Sequence, residues 1–477
     1  MTIIFTSEFG FSSFFSKYSL TRILNSVFGP LNRKTSLRFL STIPFILLTF
    51  ALYAQDVQDT IKLNRKWNIH FQSTLLTQYH PAFKSEYSGK NSLDPTPETH
   101  TSVSGTLFFG AKLWNGAEAY FNPELTGGAG FSQTTGVAGF PNGEVYRVSD
   151  ANPHIYIARL YFKQVFPLSD KYEFRKDDIN QIASMVPTSY FAVYTGKFSV
   201  MDFFDNNSYS HDPRKQFFNW TLMGNGAWDY PANTRGYTYG LVLELVKPIF
   251  AVRFSTVMVP TTANGSTMDH DILHARSDAF EFEHKYSLGN QTGTIRWMTY
   301  LTHARMGNYN EAMIWGNNHH ALPAIDSVST VGRTKFGFGV NLEQPVSKRI
   351  GIFLRASWND GKNETWAFTE IDHHLSAGLV MNGASWKRKS DTLGFAQIVN
   401  GISAGHRNYL KAGGYGFIIG DGNLNYGNEY ISEIYYSFRF FMNGLWLTPD
   451  YQLIVNPAYN KNRGPVNVFG LRLHFEI

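Results

Sequence analysis

The sequence predicts an all-β protein, a transmembrane antiparallel up-and-down β-barrel of sixteen strands, and three observations carry that prediction. The first is composition. The 477 residues include no cysteine, 41 glycines and 16% aromatic side chains but only 17% charged ones, with a net charge of +5. Charged residues usually make up about a quarter of a globular chain, and so many rings exclude disorder. Without cysteine there can be neither disulfides nor thiolate metal sites. The second is a mean hydropathy of −0.23, too polar for a bundle of membrane helices and suited to a chain that alternates between lipid and water. The third is that alternation itself, repeated along the chain beyond residue 54.

The N-terminal segment is read apart from the barrel. Residues 39–52 (FLSTIPFILLTFAL) are the longest apolar run; Arg33, Lys34 and Arg38 precede it, and Tyr53 and Ala54 follow. A basic flank, a short apolar stretch and a small residue describe a secretory signal peptide cut after Ala54. A helix crossing a bilayer needs about 20 apolar residues, more than this run offers. The expected organisation is a signal peptide over 1–54, with 1–30 either an over-extended start or a long basic region, and a barrel domain over 55–477. No cysteine follows the apolar stretch, which argues against a lipoprotein anchor. Lys17, Arg22, Arg33, Lys34 and Arg38 outweigh Glu8 in this segment, so the charge falls to +1 over 55–477. The basic excess therefore carries no argument for a nucleic-acid partner.

The strands follow in order. Asn115-Gly116 is a two-residue hairpin signal joining 107–114 to 117–125. In 235–246, Tyr237, Tyr239, Leu241, Leu243 and Leu245 oppose Gly236, Thr238, Gly240 and Glu244. Lys247-Pro248 reads as a short turn, as does Gln344-Pro345. In 335–343, Phe336, Phe338, Val340 and Leu342 oppose Lys335, Gly337, Gly339, Asn341 and Glu343; in 350–358, Ile350, Ile352, Leu354 and Trp358 oppose Gly351, Arg355 and Ser357. In 430–440, Tyr430, Ile434, Tyr436 and Phe438 oppose Glu433, Ser437 and Arg439. In 467–477, Phe469, Leu471, Leu473, Phe475 and Ile477 oppose Arg472, His474 and Glu476, an ending like the C-terminal strand of outer-membrane proteins with Ile in place of the usual aromatic. Charges set mid-strand opposite bulky apolar faces point to a lumen rather than to the open face of a sandwich. Polar stretches at 82–100, 126–152, 205–234, 260–276 and 306–333 read as long loops, and 126–152 is glycine-rich enough to fold inward as a constriction or plug. At about ten residues per tilted strand, 55–477 accommodates sixteen strands, with fourteen and eighteen also compatible.

Parity then assigns a lumen. Arg159, Arg253, Arg296, Arg355, Arg439 and Arg472 face it together with Glu244, Glu281, Glu283, Glu343, Glu370, Asp372, Glu433 and Glu476. Such a mixed lining suits a neutral solute rather than the single-sign field expected of a phosphate- or cation-selective pore. The same charges could instead brace the wall by pairing with one another.

Other motifs compete less well. Gly401-Ile-Ser403-Ala-Gly405 with His406 has the nucleophile-elbow spacing, but no strand-turn-helix context surrounds it, so no catalytic residues are assigned. Asp421, Asn423 and Asn425 begin like a calcium loop, yet Tyr426 and Ser432 stand where an EF-hand needs Gly and Glu; a loop-bound Ca²⁺ stays open, and no cofactor is otherwise expected. His319-His320 and His373-His374 are poor chelators because neighbours on a strand face opposite ways, so no metal site is assigned.

Three segments carry a family resemblance. YTGKFSVMDFFDNNSYSHDPRKQFFNW (194–220) leads to MGNGAWDYPANTRGYTYGL (223–241); IFLRASWNDGKNE spans 352–364; and EYISEIYYSFRFFMNGLWLTPDYQLIVNPAYN (429–460) is followed by FGLRLHF (469–475). Together they resemble the carbohydrate-selective porin (OprB) family. The resemblance implies a monomeric, non-enzymatic, sixteen-stranded porin of the bacterial outer membrane, in contact with its lipid, passing mono- or oligosaccharides by diffusion. A general or organic-acid porin and a plugged structural or adhesin barrel remain as alternatives.

Overall fold

The computed structural model describes residues 65–146, 152–440 and 444–477; the signal-peptide expectation lies outside them. The strands are β1 (Trp67–His80), β2 (Glu98–Trp114), β3 (Ala117–Gly128), β4 (His154–Pro167), β5 (Tyr172–Arg175), β6 (Ser184–Pro187), β7 (Tyr190–Phe198), β8 (Thr238–Val246), β9 (Phe250–Met258), β10 (Arg276–Leu288), β11 (Gln291–Met306), β12 (Thr330–Pro345), β13 (Ile350–Asn359), β14 (His373–Asn382), β15 (Thr392–Gly401), β16 (Glu429–Arg439), β17 (Leu445–Val455) and β18 (Val466–Glu476). Each pairs antiparallel with its chain neighbours, and β1 pairs with β18 to close the barrel. Only β5 and β6 stand outside the ring, as a separate hairpin, and β4 pairs directly with β7. Sixteen strands therefore form the wall.

Period two builds this wall. Along β12, Phe336 and Phe338 are exposed while Lys335, Asn341 and Glu343 are buried; on β13, Ile352 and Leu354 face out and Arg355 faces in. Rings gather toward the strand ends, as in Phe338 against Trp358, Phe250–Phe282–Trp297 and Tyr436–Phe438–Phe440, the placement of an interfacial girdle. Closing the barrel removes every free edge.

Connections alternate in length. Gly116, at φ 75°, gives the β2–β3 turn the left-handed residue that it requires. Short turns lie on that side, at the periplasmic end of such barrels, together with the 168–189 connection that carries β5 and β6, and the other long connections lie at the opposite end. The β12–β13 turn occupies 346–349, because Gln344 and Pro345 still pair with Ile352 and Gly351; a proline is tolerated where a strand ends. Tyr237 also departs from its expected face. It precedes β8, is buried, and donates its hydroxyl inward to Glu124 at 2.9 Å.

The long connections 129–146, 199–237, 360–372 and 402–428 fold into the barrel. Their apolar side chains, among them Phe131, Phe140, Phe204, Phe218, Trp228 and Ile418, form the buried interior. Lumen-facing glycines make room for them: a Cβ on Gly351 would sit 2.0 Å from the Tyr209 ring. Among the described residues, α1 (Trp220–Met223) lies in 199–237, α2 (Tyr309–His319) in the β11–β12 connection and α3 (Ala404–Lys411) in 402–428.

Candidate permeation pathway

A ladder of charges runs across five adjacent strands. The register sets Glu244 on β8 opposite Arg253 on β9, and Arg253 opposite Glu281 on β10. Arg253 reaches Glu244 at 2.9 Å, Glu281 at 2.8 Å and Glu283 at 3.0 Å. Arg296 on β11 continues to Glu283 at 3.0 Å and to Glu343 on β12 at 3.2 Å. Pairing is what makes so many buried charges tolerable on one wall.

The wall also holds the inward loops. Glu281 accepts the backbone N–H of Asp205 at 2.6 Å, and Arg355 pairs with the Asp205 carboxylate at 3.1 Å. Glu433 accepts from the N–H groups of Phe218 and Asn219. Arg472 donates to the carbonyls of Pro213 at 2.6 Å and Gln216 at 2.7 Å, with its guanidinium 4.4 Å from the Phe218 ring. Glu429 holds 129–146 through Ala138 and Gly139, at 3.0 and 2.7 Å. In each case a buried polar wall residue satisfies loop backbone that would otherwise lack partners.

Two of the expected lumen residues lie on a loop rather than on a strand. Glu370 accepts from Ile418 and Ile419 at 2.7 and 3.0 Å, clamping 402–428. Asp372 lies 3.1 Å from His406 and 3.7 Å from Lys335. Burial raises the Asp372 carboxyl, but Lys335 and the His406 hydrogen bond together hold it well below the usual range.

Open space remains on one side of the barrel. A cavity of about 720 Å³ runs beside β3, β4 and β7–β10, within the roughly 300–1,000 Å³ that encloses small ligands. Of the expected residues, Arg159, Glu244, Arg253 and Glu283 border it. Arg159 is itself held by Asp202, at 2.6 Å. Loop side chains without strand parity supply much of the rest. Arg214 pairs with Glu144 at 2.9 Å and Glu124 at 3.1 Å; burial lowers its affinity for a proton, and these two carboxylates more than restore it. Arg235 lies 4.4 Å from the Tyr156 ring, and Tyr146, Tyr190, Tyr230 and Tyr237 add further aromatic surface. A second cavity, of about 1360 Å³, opens among the long connections and is bordered by Glu364 and Glu370.

The remaining expected residues stand elsewhere. Glu281, Arg296, Glu343, Arg355, Glu433 and Arg472 lie in the bracing layer, outside both cavity linings. Arg439 is near the short-turn end, 5.6 Å from the Trp446 ring. Glu476 pairs with Lys215 and His474.

The competing motifs resolve into structure. Ser403 caps α3: its hydroxyl accepts from the His406 N–H at 3.1 Å and donates to the Gly361 carbonyl at 2.6 Å, while the His406 ring turns to Asp372. The Asp421 carboxylate accepts from Tyr87 at 2.9 Å and Asn460 at 3.1 Å. His373 and His374 face opposite ways; His374 is buried against Asn400 and Ser376.

The profile of a family described as carbohydrate-selective porin, OprB family, matches residues 90–477. Among solved structures, OprB of Pseudomonas putida, at high pH, is similar with a TM-score of 0.65 and 17% identity, over 86% of this chain and 94% of that one. The outer membrane channel DcaP of Acinetobacter baumannii follows at a TM-score of 0.47 and 10% identity, over 86% and 97%. No curated protein sequence matches.

Proposed function

The chain belongs to the carbohydrate-selective porins of the OprB family, and from that premise we propose that sugars cross the outer membrane through the 720 Å³ passage beside β3–β10. The observation that carries this reading is the lining: Arg159, Arg214 and Arg253 are paired with carboxylates of the same lining and interleaved with tyrosine rings. Paired charges present hydrogen-bond donors and acceptors to hydroxyl groups while cancelling the long-range field that would select ions. Aromatic faces meet the C–H faces of sugar rings without demanding one stereochemistry. Arg159, Glu244, Arg253 and Glu283 are the wall residues that we assign to this path. The reading includes a monomeric barrel in contact with lipid, exported by removal of 1–54, which leaves Gln55 as the first residue of the purified protein.

Liposome swelling and planar-bilayer recordings with a panel of mono- and disaccharides test the proposal. Swelling with sugars, together with sugar-dependent reduction of ion current, is the expected result. A channel that conducts organic acids and ignores sugars overturns the assignment of substrate. Vesicles that swell with no solute make the barrel a plugged one.

A further inference from the structure

Between the two cavities runs a strip of chain, residues 364–370, beside the segment 262–264. Ala367 and Phe368 border the smaller cavity, beside β3–β10, whereas Glu364, Thr365 and Glu370 border the larger one among the long connections. Residues 364–370, with 262–264 beside them, therefore separate an outer vestibule from the passage.

One carboxylate fixes this strip. Asp229, only 2% exposed, lies on the connection 199–237 and accepts three successive backbone N–H groups. Its Oδ2 takes Trp366 at 2.7 Å, and its Oδ1 takes Ala367 at 2.7 Å and Phe368 at 3.1 Å. Charge-assisted bonds of this kind are roughly twice as strong as neutral ones. A second segment ties the strip as well: Asn264, which borders the passage, donates its backbone N–H to the Trp366 carbonyl and its side-chain amide to the Ala367 carbonyl, both at 2.7 Å. What the strip presents to the passage is the Phe368 ring, 4.3 Å from Tyr230 and 5.8 Å from Trp220 between centroids. Tyr230 is the residue after Asp229, so one short segment supplies both the anchor and the facing ring.

We infer that residues 364–370 are the size-selecting gate between vestibule and passage, with the Phe368–Tyr230–Trp220 cluster as its aperture and Asp229 as the positioning residue that fixes its width. The inference deepens the sugar-passage reading and rests on it for the identity of the solute. It does not rest on it for the existence of the constriction, which any small ion must also pass. Asp229 borders neither cavity, and the strip's N–H groups occupy its oxygens. Its effect on permeation is exerted through the place at which it holds Phe368.

The test uses the full chain, reconstituted, with potassium chloride, a monosaccharide and a trisaccharide as probes. Phe368→Ala trims the aperture without touching its anchor. It is expected to raise single-channel conductance about twofold and the trisaccharide-to-monosaccharide swelling ratio by at least as much, since a constriction dominates the resistance of a pore. Asp229→Asn turns one acceptor into an amide that faces an N–H donor. It is expected to add open-channel noise and to shift the same ratio in the same direction, while heat-dependent gel mobility still reports a closed barrel. Should Asp229→Asn fail to fold, Phe368→Ala decides alone. A folded Phe368→Ala barrel with parental conductance and parental size ratio overturns the gate. A parent channel that conducts the salt but no sugar removes the sugar reading instead, and the conductance comparison still judges the gate.

Discussion

At the scale of single residues, the arginines of the lumen divide by what their guanidinium groups face. Arg355 is fully buried and all its donors are committed: to the Asp205 carboxylate at 3.1 Å and to the carbonyls of Asp205, Ser210 and Leu222 at 3.1, 2.6 and 3.2 Å. Arg253, by contrast, belongs to the cavity lining. Removing one partner of a buried pair leaves the other charge uncompensated, at a cost of about 3–5 kcal/mol. Arg355→Ala is therefore expected to destabilise the barrel by about that amount, and to open 199–237 to protease. Arg355→Lys should recover only part of the loss, since an ammonium cannot reproduce the fork that reaches three carbonyls. Unfolding in detergent and limited proteolysis measure both effects. Parental stability in Arg355→Ala would show that the loop is held by its remaining contacts alone.

At the scale of elements, the strip 364–370 carries a titratable latch at its outer end. Glu364 accepts the Gly307 N–H at 2.6 Å, just before α2. Burial, with Asp326 and Glu370 nearby, pushes its carboxyl up to about 8. A folded value above the ordinary one of about 4.3 means that the folded state prefers the protonated group. Its contribution is complete below about 4.3 and is lost as the pH rises through about 8. Amides of 307–319 should accordingly exchange more slowly, after correction for intrinsic rates, at pH 6 than at pH 9, and Glu364→Gln should flatten the difference. A pH response that survives in the Gln variant would place the titrating group elsewhere. This latch also marks the limit of what the chain discloses before it folds. The strands were legible because lipid and lumen impose opposite demands on successive residues, which is why Glu244, Arg253 and Glu283 could be placed inward from parity alone. Asn115-Gly116 was legible because its turn needs a left-handed residue. Asp205, Arg214 and Asp229 were not, since a loop has no period and their partners are remote: Arg355 lies 150 positions from Asp205. Tyr237 misleads for the same reason, because the alternation of β8 begins only one residue later.

At the scale of the whole molecule, barrel closure and lumen filling are separate problems, and the connection between β4 and β7 shows it. Those two strands pair with each other from Leu160–Lys197 to Pro167–Tyr190, so the hairpin β5–β6 adds nothing to the ring. Instead the hairpin tip turns into the lumen from the short-turn end. Asn68 on β1 donates to the Asp177 carboxylate at 2.9 Å and to the carbonyls of Asp178 and Gln181 at 3.2 and 3.0 Å, and Asn122 on β3 meets Asn180 at 3.0 Å. Ile182 is buried behind these contacts, while Ile179, Asn180 and Gln181 border the passage. The hairpin thus fills the lumen beside β1–β3 at the short-turn end, next to the cavity beside β3–β10. Replacing 169–188 with a short turn keeps every rung of the β4–β7 ladder up to Phe166–Phe191 and shortens a loop whose closure is entropically unfavourable, so the barrel should still close. With the tip gone, the mouth should widen and single-channel conductance should rise, by a larger factor than in Phe368→Ala if the exit is the narrower restriction and by a smaller one if the gate is. Combining the two changes ranks them, because resistances in series add. Conductance unaltered by the deletion would mean that the hairpin stands clear of the ion path and serves only to cover the inner face of β1–β3.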